Sequence, residues 1–552
     1  MLRYQKDFFI LSLERILLRR QIMITRIIKI IGITFLMHTL FACTQISSEQ
    51  DTYGNITFQN SGVSDAQEAF LKGMKSLHSF EFDTARIAFQ EAQNIDPSFA
   101  MAYWGEAMSE NHPLWAQQDR ERASIVLNSL APSLEDRLSK VSTEKEKEYL
   151  KAIEALYFSE GDKLRRDIAY SEAMAKMHQR WPDDHEISIF HALSLLGTIR
   201  PGDNGYKRQA LAGSISQKVF KDNESHPGAA HFIIHSFDDP DHAILALPAA
   251  KVYADIAPAS AHALHMPSHI FVQLGMWDRV INSNIEAYAA AIENIEKLGL
   301  PAGREDFHTL SWLAYANLML GEYEKASENL STALATVEKN NGNKRIYNGY
   351  LNMKARHMIE TGEWEDHNLM ELDTIEGTNV NWITAVGMSA AYRDDSEIVD
   401  AVVERLSGIE KNALDSGKVY DAKRVSIMKK QVSAIAKLVT NDIEAAIALA
   451  KEAAKIEIQE MQAPSGPPVP MKPSSELYAE ILMAANRPSE AILAYEESLA
   501  WIPERTPSLF GLAKAASLSG EASRAEEMLA KIKGMPGMNL EKPLFYTTET
   551  MD

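Results

Sequence analysis

Seven of the 16 histidines in this 552-residue chain fall between His226 and His269, where an even spread would place one or two. Imidazole is a ligand for transition metals, a proton carrier near neutral pH and a two-sided hydrogen-bond partner, so crowding of this kind points to a site. Spacing narrows the choice. His231 and His235 are four residues apart, as are His265 and His269, and residues at that interval share one face of a helix. From His231 to His265, and again from His235 to His269, the interval is 34 residues, so both pairs hold the same place in successive copies of one structural unit. Paired histidines four apart are a known metal-ligand arrangement. The tetrad His231, His235, His265 and His269 is therefore expected to hold a transition metal: Zn, Cu, Ni or Fe. His262, one turn before His265, and His226 and His308 are expected as additional ligands, as groups that orient the ligands, or as proton carriers. The competing readings are a groove whose imidazoles serve as hydrogen-bond donors, and histidines that are merely structural. His242 has no partner at the repeat interval and reads as ordinary surface.

Other chemistries find less support. His231-Phe-Ile-Ile-His235 lacks the Glu that follows the first His in metalloprotease helices, which argues against proteolysis. Asp238-Asp239-Pro240-Asp241 reads as a turn and helix cap rather than as oxygen ligands. The chain has no phosphate-cradling glycine loop, dinucleotide fingerprint or nucleophile elbow. Trp104 and Trp115 beside Glu106 and His112 read as core aromatics more readily than as a pocket. If the histidines serve a metal-dependent enzyme, Glu106 and Glu476 are the candidate bases.

These groups need a scaffold, and its repeats are visible. Gly73, Phe82, Ala85, Phe89, Ala92 and Pro97 alternate small and large residues at helical intervals and end on a helix-stopping proline. Gly275, Trp277, Val280 and Ala287 repeat the pattern, followed by Gly321, Tyr323, Ala326, Leu330 and Ala333, and more weakly by Gly362 and Trp364. Ile443, Ala446, Ala450 and Ala453, then Ala491, Tyr495, Ser498 and Pro503, then Gly520, Ala522, Ala525 and Leu529 keep the register. This pattern resembles the tetratricopeptide repeat. The resemblance implies an all-α, right-handed superhelical solenoid of antiparallel helix pairs, with both histidine pairs on the first helices of their repeats, facing the concave groove. The stretches His226 to His235 and His262 to Ile270, Tyr103-Trp104-Gly105 with His112-Pro113, and Pro467 to Pro473 before Glu476-Leu477 further resemble a group of bacterial proteins of that repeat class. That resemblance implies a shared site around the histidines without supplying a reaction.

Composition sets the address and the partners. Residues 22 to 42 hold basic Arg26 and Lys29, then an apolar run from Ile30 to Ala42, and next comes the only cysteine, Cys43. Leu40-Phe41-Ala42-Cys43 resembles a bacterial lipobox, which implies lipidation of Cys43 and a lipid-anchored protein of the cell envelope, facing the periplasm or held in the outer membrane. Residues 1 to 22 make the leader long, so translation is suspected to begin at Met23. One cysteine excludes a disulfide framework and cysteine-based metal sites. The net charge of -20 becomes -25 after removal of the leader, with 49 basic against 74 acidic residues, which argues against nucleic acid and leaves membrane contact to the lipid. The expected organisation is a signal peptide (1–42), a flexible tether (43–60), an N-terminal repeat (61–110), a helical region of divergent repeats (111–225) and central repeats with the histidine cluster (226–380). Helical repeats (381–462), a proline-rich loop (463–473), C-terminal repeats (474–533) and a tail (534–552) follow. A binding scaffold for a protein or peptide partner in the groove is the first functional expectation, and a metal-dependent enzyme the alternative.

Overall fold

A computed structural model of the chain describes residues 52 to 540, apart from 204, 301 to 303, 305, 341 and 370 to 378. The leader, Cys43 and the end of the tail lie outside these residues. Those described belong to one compact unit that begins at Thr52. No helix among them is long and apolar enough to cross a membrane.

The architecture is the all-α solenoid the repeat pattern implies. Consecutive helices pack against one another along the chain, as in Gln67–His78 on Phe82–Ile95, Phe307–Met319 on Tyr323–Lys339, and Thr506–Leu518 on Ala522–Lys533. The turn inside each pair has a common device. Phe80, Gly275, Gly321, Asp394, Asn441, Asn486 and Gly520 all have positive φ, and each sits two residues before the second helix of its pair. A chain that reverses tightly after a helix needs a left-handed residue there, and Gly, Asn and Asp adopt it at least cost. Gly275 is therefore a turn residue, where Gly73 is a true close-packing position. A Cβ on Gly73 would lie 2.7 Å from the Phe89 ring and one on Gly105 would lie 2.4 Å from it, so Phe89 fills a gap that only glycines leave open.

First and second helices differ in their surroundings. Phe307–Met319 and Val380–Tyr392 are buried nearly all round. Trp277–Leu298 buries only Trp277, Val280, Asn284 and Ala287, a single stripe at helical spacing. In the divergent region side chains cap the helices: Thr143 accepts from the Glu146 amide, opening Glu144–Tyr157, and Asp162 accepts from the Arg165 amide, opening Lys163–Arg180. A two-residue antiparallel ladder, Asn111–His112 with Gln117–Gln118, is the β-structure among the described residues. Gly362 ends the helix Lys344–Thr361, and Trp364, part of the weaker repeat match, is not helical.

Two stretches differ from expectation at the ends. Residues 52 to 60, expected as part of a tether, pack on the body: Ile56 is buried, the Phe58 ring lies 5.3 Å from that of Phe70, and the Asn55 amide donates to Ser225. The start of the tail is likewise docked, with the Asn539 amide donating to the Leu320 carbonyl. The proline-rich loop is non-helical as expected and is strapped across the helices. Gln273 donates to the Pro464 carbonyl, Arg356 to that of Pro468 and Gln431 to that of Lys472. Beneath it, fully buried Arg505 is bidentate to both Glu360 and Glu476, tying together segments far apart in sequence.

Candidate metal centre

The helix Pro227–Ser236 begins with Pro227 at its first position and His226 as its cap, the His226 Nδ1 accepting the Ala229 amide. It carries His231 and His235. Ala261–His265, capped by Ser260, carries His262 and His265, and Pro267–Gln273 carries His269. Pro267 breaks the helix at Met266, as its missing N–H requires. The break does not misalign the pair, since the Nε2 atoms of His265 and His269 lie 3.2 Å apart. His308 enters from Phe307–Met319.

The four repeat-matched histidines do not form one square. They divide into two triads, and the third member of each comes from the residues expected as additional ligands. In the first triad, His231, His235 and His262 bring nitrogens within 4.8 Å of one another; in the second, His265, His269 and His308 do so. Within the second triad the Nε2 of His265 lies 3.2 Å from that of His269 and 3.0 Å from that of His308. The first has a matching approach, 3.1 Å between the Nε2 atoms of His231 and His262.

Anchors on the opposite ring nitrogens explain what these short distances mean. His265 Nδ1 lies 2.7 Å from Asn284 Oδ1, whose amide nitrogen is spent on the Val280 carbonyl, so the ring must be the donor. His269 Nδ1 donates to the Asp238 carboxylate at 2.6 Å, and His231 Nδ1 to the His78 carbonyl at 2.7 Å. With the proton on Nδ1, each neutral ring turns a bare Nε2 lone pair inward. Between His265 and His269 both lone pairs are bare at 3.2 Å and repel, and a cation between them removes the repulsion. In a tetrahedral site with metal–nitrogen bonds of about 2.0–2.1 Å, ligand nitrogens sit roughly 3.3 Å apart, close to the separations found. Burial also keeps the rings in ligand form: it lowers His231 to about 3 and His308 to about 4, and pushes His235, His262 and His265 well below the usual value. The His235 Nε2 is buried with no hydrogen-bond partner.

His226 stands apart from both triads. Its Nε2 donates to Glu186 Oε1 at 3.1 Å, and His78 Nε2 meets Glu186 Oε2 at 2.8 Å. Burial raises the Glu186 carboxyl, but the facing His78 and His226 more than reverse this and hold it at about 2. This buried unit fixes His78, whose carbonyl in turn fixes His231. His242 lies outside the cluster as expected, hydrogen-bonded to Asp239 and stacked on Tyr206 at 3.9 Å.

Several residues of the site carried no clear signal in the sequence. Of the Asp238-Asp239 pair, Asp239 serves the turn, accepting from the Asp241 and His242 amides, while Asp238 accepts from the His269 ring. Asn284 lies 19 residues after the histidine it holds. Glu81 accepts from the Ser260 hydroxyl and the His262 amide, fixing the start of the second histidine helix. Phe80 covers the first triad, its ring 4.4 Å from His231 and 5.4 Å from His262, and Trp312 backs the second at 4.4 Å from His269 and 4.9 Å from His265. Phe80 did offer a hint, since it is a bulky residue at the turn position that elsewhere takes Gly, Asn or Asp. Non-glycine residues at positive φ concentrate where structure around them holds the strain. Trp312 also lines a cleft of about 210 Å³ with Asn352, Arg356 and Pro467.

No family model matches the chain, and no curated protein does. Among solved structures it is similar to yeast Tom70, at 12% identity over 86% of this chain and 91% of that one, with a TM-score of 0.31. It is also similar to the tetratricopeptide domain of P58(IPK), at 14% identity over 83% and 99% of the two chains with a TM-score of 0.20, and to human IFIT1 solved with m7Gppp-AAAA, at 12% over 86% and 90% with a TM-score of 0.30. At TM-scores this low the likenesses carry no argument about the site. The fold rests on the helix pairs and their turns.

The carboxylates expected as bases are both engaged. Glu106 accepts from Gln90 and Gln93, each at 2.7 Å. Burial raises Glu476, but Arg505 and Lys472 override it and hold the carboxyl well below the usual range, with Ser508 donating as well. A carboxylate so paired is a poor proton acceptor.

Proposed function

We propose that this protein binds transition-metal ions through two histidine triads, His231/His235/His262 and His265/His269/His308, held in a tetratricopeptide-like solenoid. The observation that carries the reading is the convergence of Nε2 atoms at 3.0 to 3.2 Å, with the Nδ1 of His231, His265 and His269 committed elsewhere. The facing lone pairs of His265 and His269 repel, and an ion of Zn, Cu, Ni or Fe between them relieves that repulsion. Three protein ligands leave a coordination position open, which is the arrangement of catalytic rather than purely structural ions. That supports the metal-dependent enzyme as second reading, with an ion-bound water as base because Glu106 and Glu476 are occupied.

The rest of the reading follows from sequence. A lipid on Cys43 anchors the mature chain in the cell envelope, a protein or peptide partner lies along the solenoid, and the acidic surface turns away nucleic acid. Cys43→Ser should move the protein from the membrane fraction to the soluble one, and unchanged fractionation would remove the anchor. For the metal, untagged protein should carry ions by elemental analysis. Titration calorimetry of the apo form with Zn, Cu and Ni should show binding that His265→Ala weakens at least tenfold and His242→Ala leaves alone. Equal losses in the two variants, or no binding of any of these ions, would refute it.

A further inference from the structure

The two triads are parts of one cluster. Ring centroids across them lie 6.1 Å apart for His235 and His269 and 6.4 Å for His262 and His265. These gaps are no wider than the widest within them, 6.4 Å for His235 and His262 and 6.3 Å for His269 and His308. Two ions, one in each triad, would therefore be near neighbours, as in two-metal centres whose ions share a ligand.

Charge then sets what the shared ligand is. All six imidazoles are neutral ligands, so two divalent ions bring four positive charges. Among the described residues, the carboxylate hydrogen-bonded to a ring of the cluster is Asp238, on His269. Glu81 accepts the His262 amide, and Asp306 caps the helix of His308. Even counting all three as ionised, one positive charge is left over in a site walled by Phe80, Tyr253 and Trp312. Charge buried among aromatic rings and away from water is costly unless paired. His308 is an exposed residue whose imidazole turns in against His265, so it stands where the cluster meets solvent.

We infer that the loaded centre takes a small anion between its two ions, bound to both through one nitrogen or oxygen donor, so that the substrate or ligand class is a compact anion. The inference rests on the metal-binding reading of the same histidines. Its test uses the full chain loaded with copper(II), desalted, and titrated with sodium azide while the azide-to-copper charge-transfer absorbance is followed. Expected are two coppers per chain, one azide per copper pair, and an electron paramagnetic resonance signal smaller than two independent copper(II) ions give. His235→Ala and His308→Gln should each keep one copper and weaken azide binding at least tenfold. The retained copper, with an unchanged helical circular dichroism spectrum, shows that the variants fold. Two coppers that bind one azide each, with unchanged affinity in both variants, would overturn the bridging anion, as would two coppers that bind no azide. One copper per chain would overturn the pair while leaving the metal reading intact, and no copper at all would overturn the pair and, where zinc and nickel also fail to bind, the metal reading itself.

Discussion

Asp238 and Asp239 are adjacent in sequence and opposite in role, which makes them a sharp test. Asp238 Oδ2 accepts the His269 Nδ1 proton at 2.6 Å, with side-chain exposures of 6% and 11%, whereas Asp239 serves the turn and His242. Asp238→Asn keeps the size and an acceptor oxygen but removes the charge that makes His269 a stronger electron-pair donor. Loss of such an outer partner costs about 10- to 100-fold in metal affinity, which corresponds to about 1.4–2.8 kcal/mol. The low exposure of both partners argues for the upper half of that range, because water cannot replace the lost charge. Apo stability should not fall with it, since burial already raises the Asp238 carboxyl and its Oδ1 lacks a hydrogen bond. The assay is competition for zinc against a chelator of known affinity, with Asp239→Asn as the matched control. A loss under threefold at Asp238, or an equal loss at Asp239, would mean that His269 is not a ligand.

The remaining expectations concern pH and the scaffold. Free histidine takes its proton near 6.5, but burial holds His231 neutral to about 3 and His308 to about 4, so bound metal should survive to about pH 5 in dialysis; release at pH 6.5 would contradict this. In the apo protein the unfolded chain binds these protons first, so the histidine share of stability is present above pH 6.5 and is lost as pH falls toward about 4. Glu457, raised to about 7 by burial, works in the opposite direction, so the share is read as the difference in thermal unfolding between wild type and His231→Asn. Gly275→Leu should destabilise by about 1–3 kcal/mol in urea, because its φ is +63° and a Cβ there would lie 2.3 Å from Glu504 Cβ; a neutral result would refute the turn assignment. Arg505→Ala should cost about 3–5 kcal/mol by leaving Glu360 and Glu476 buried and unpaired, and a loss below 1 kcal/mol would show that the network is not what joins these segments.

What the sequence determined by itself was whatever depends on intervals along the chain. The small and large residues at helical spacing specified helix pairs, because packing of neighbouring helices is set within a few tens of residues. The 34-residue interval between histidine pairs brought the right helices together, because each repeat places its copy of a residue beside the last. His262 and His308 were recognisable by the same argument, each standing 18 residues before a packing position, Val280 or Ala326. How the six histidines divide was decided only in three dimensions. The grouping follows from how the helices lie against one another and from which ring nitrogens already hold protons, and neither has a period in sequence. His231 is oriented by a carbonyl 153 residues away, His269 by Asp238 31 residues away, and His265 by Asn284, 19 residues away on Trp277–Leu298. Hydrogen bonds of that kind form between whichever groups the packed helices bring within about 3 Å, so their partners could be named only once the solenoid had closed around them.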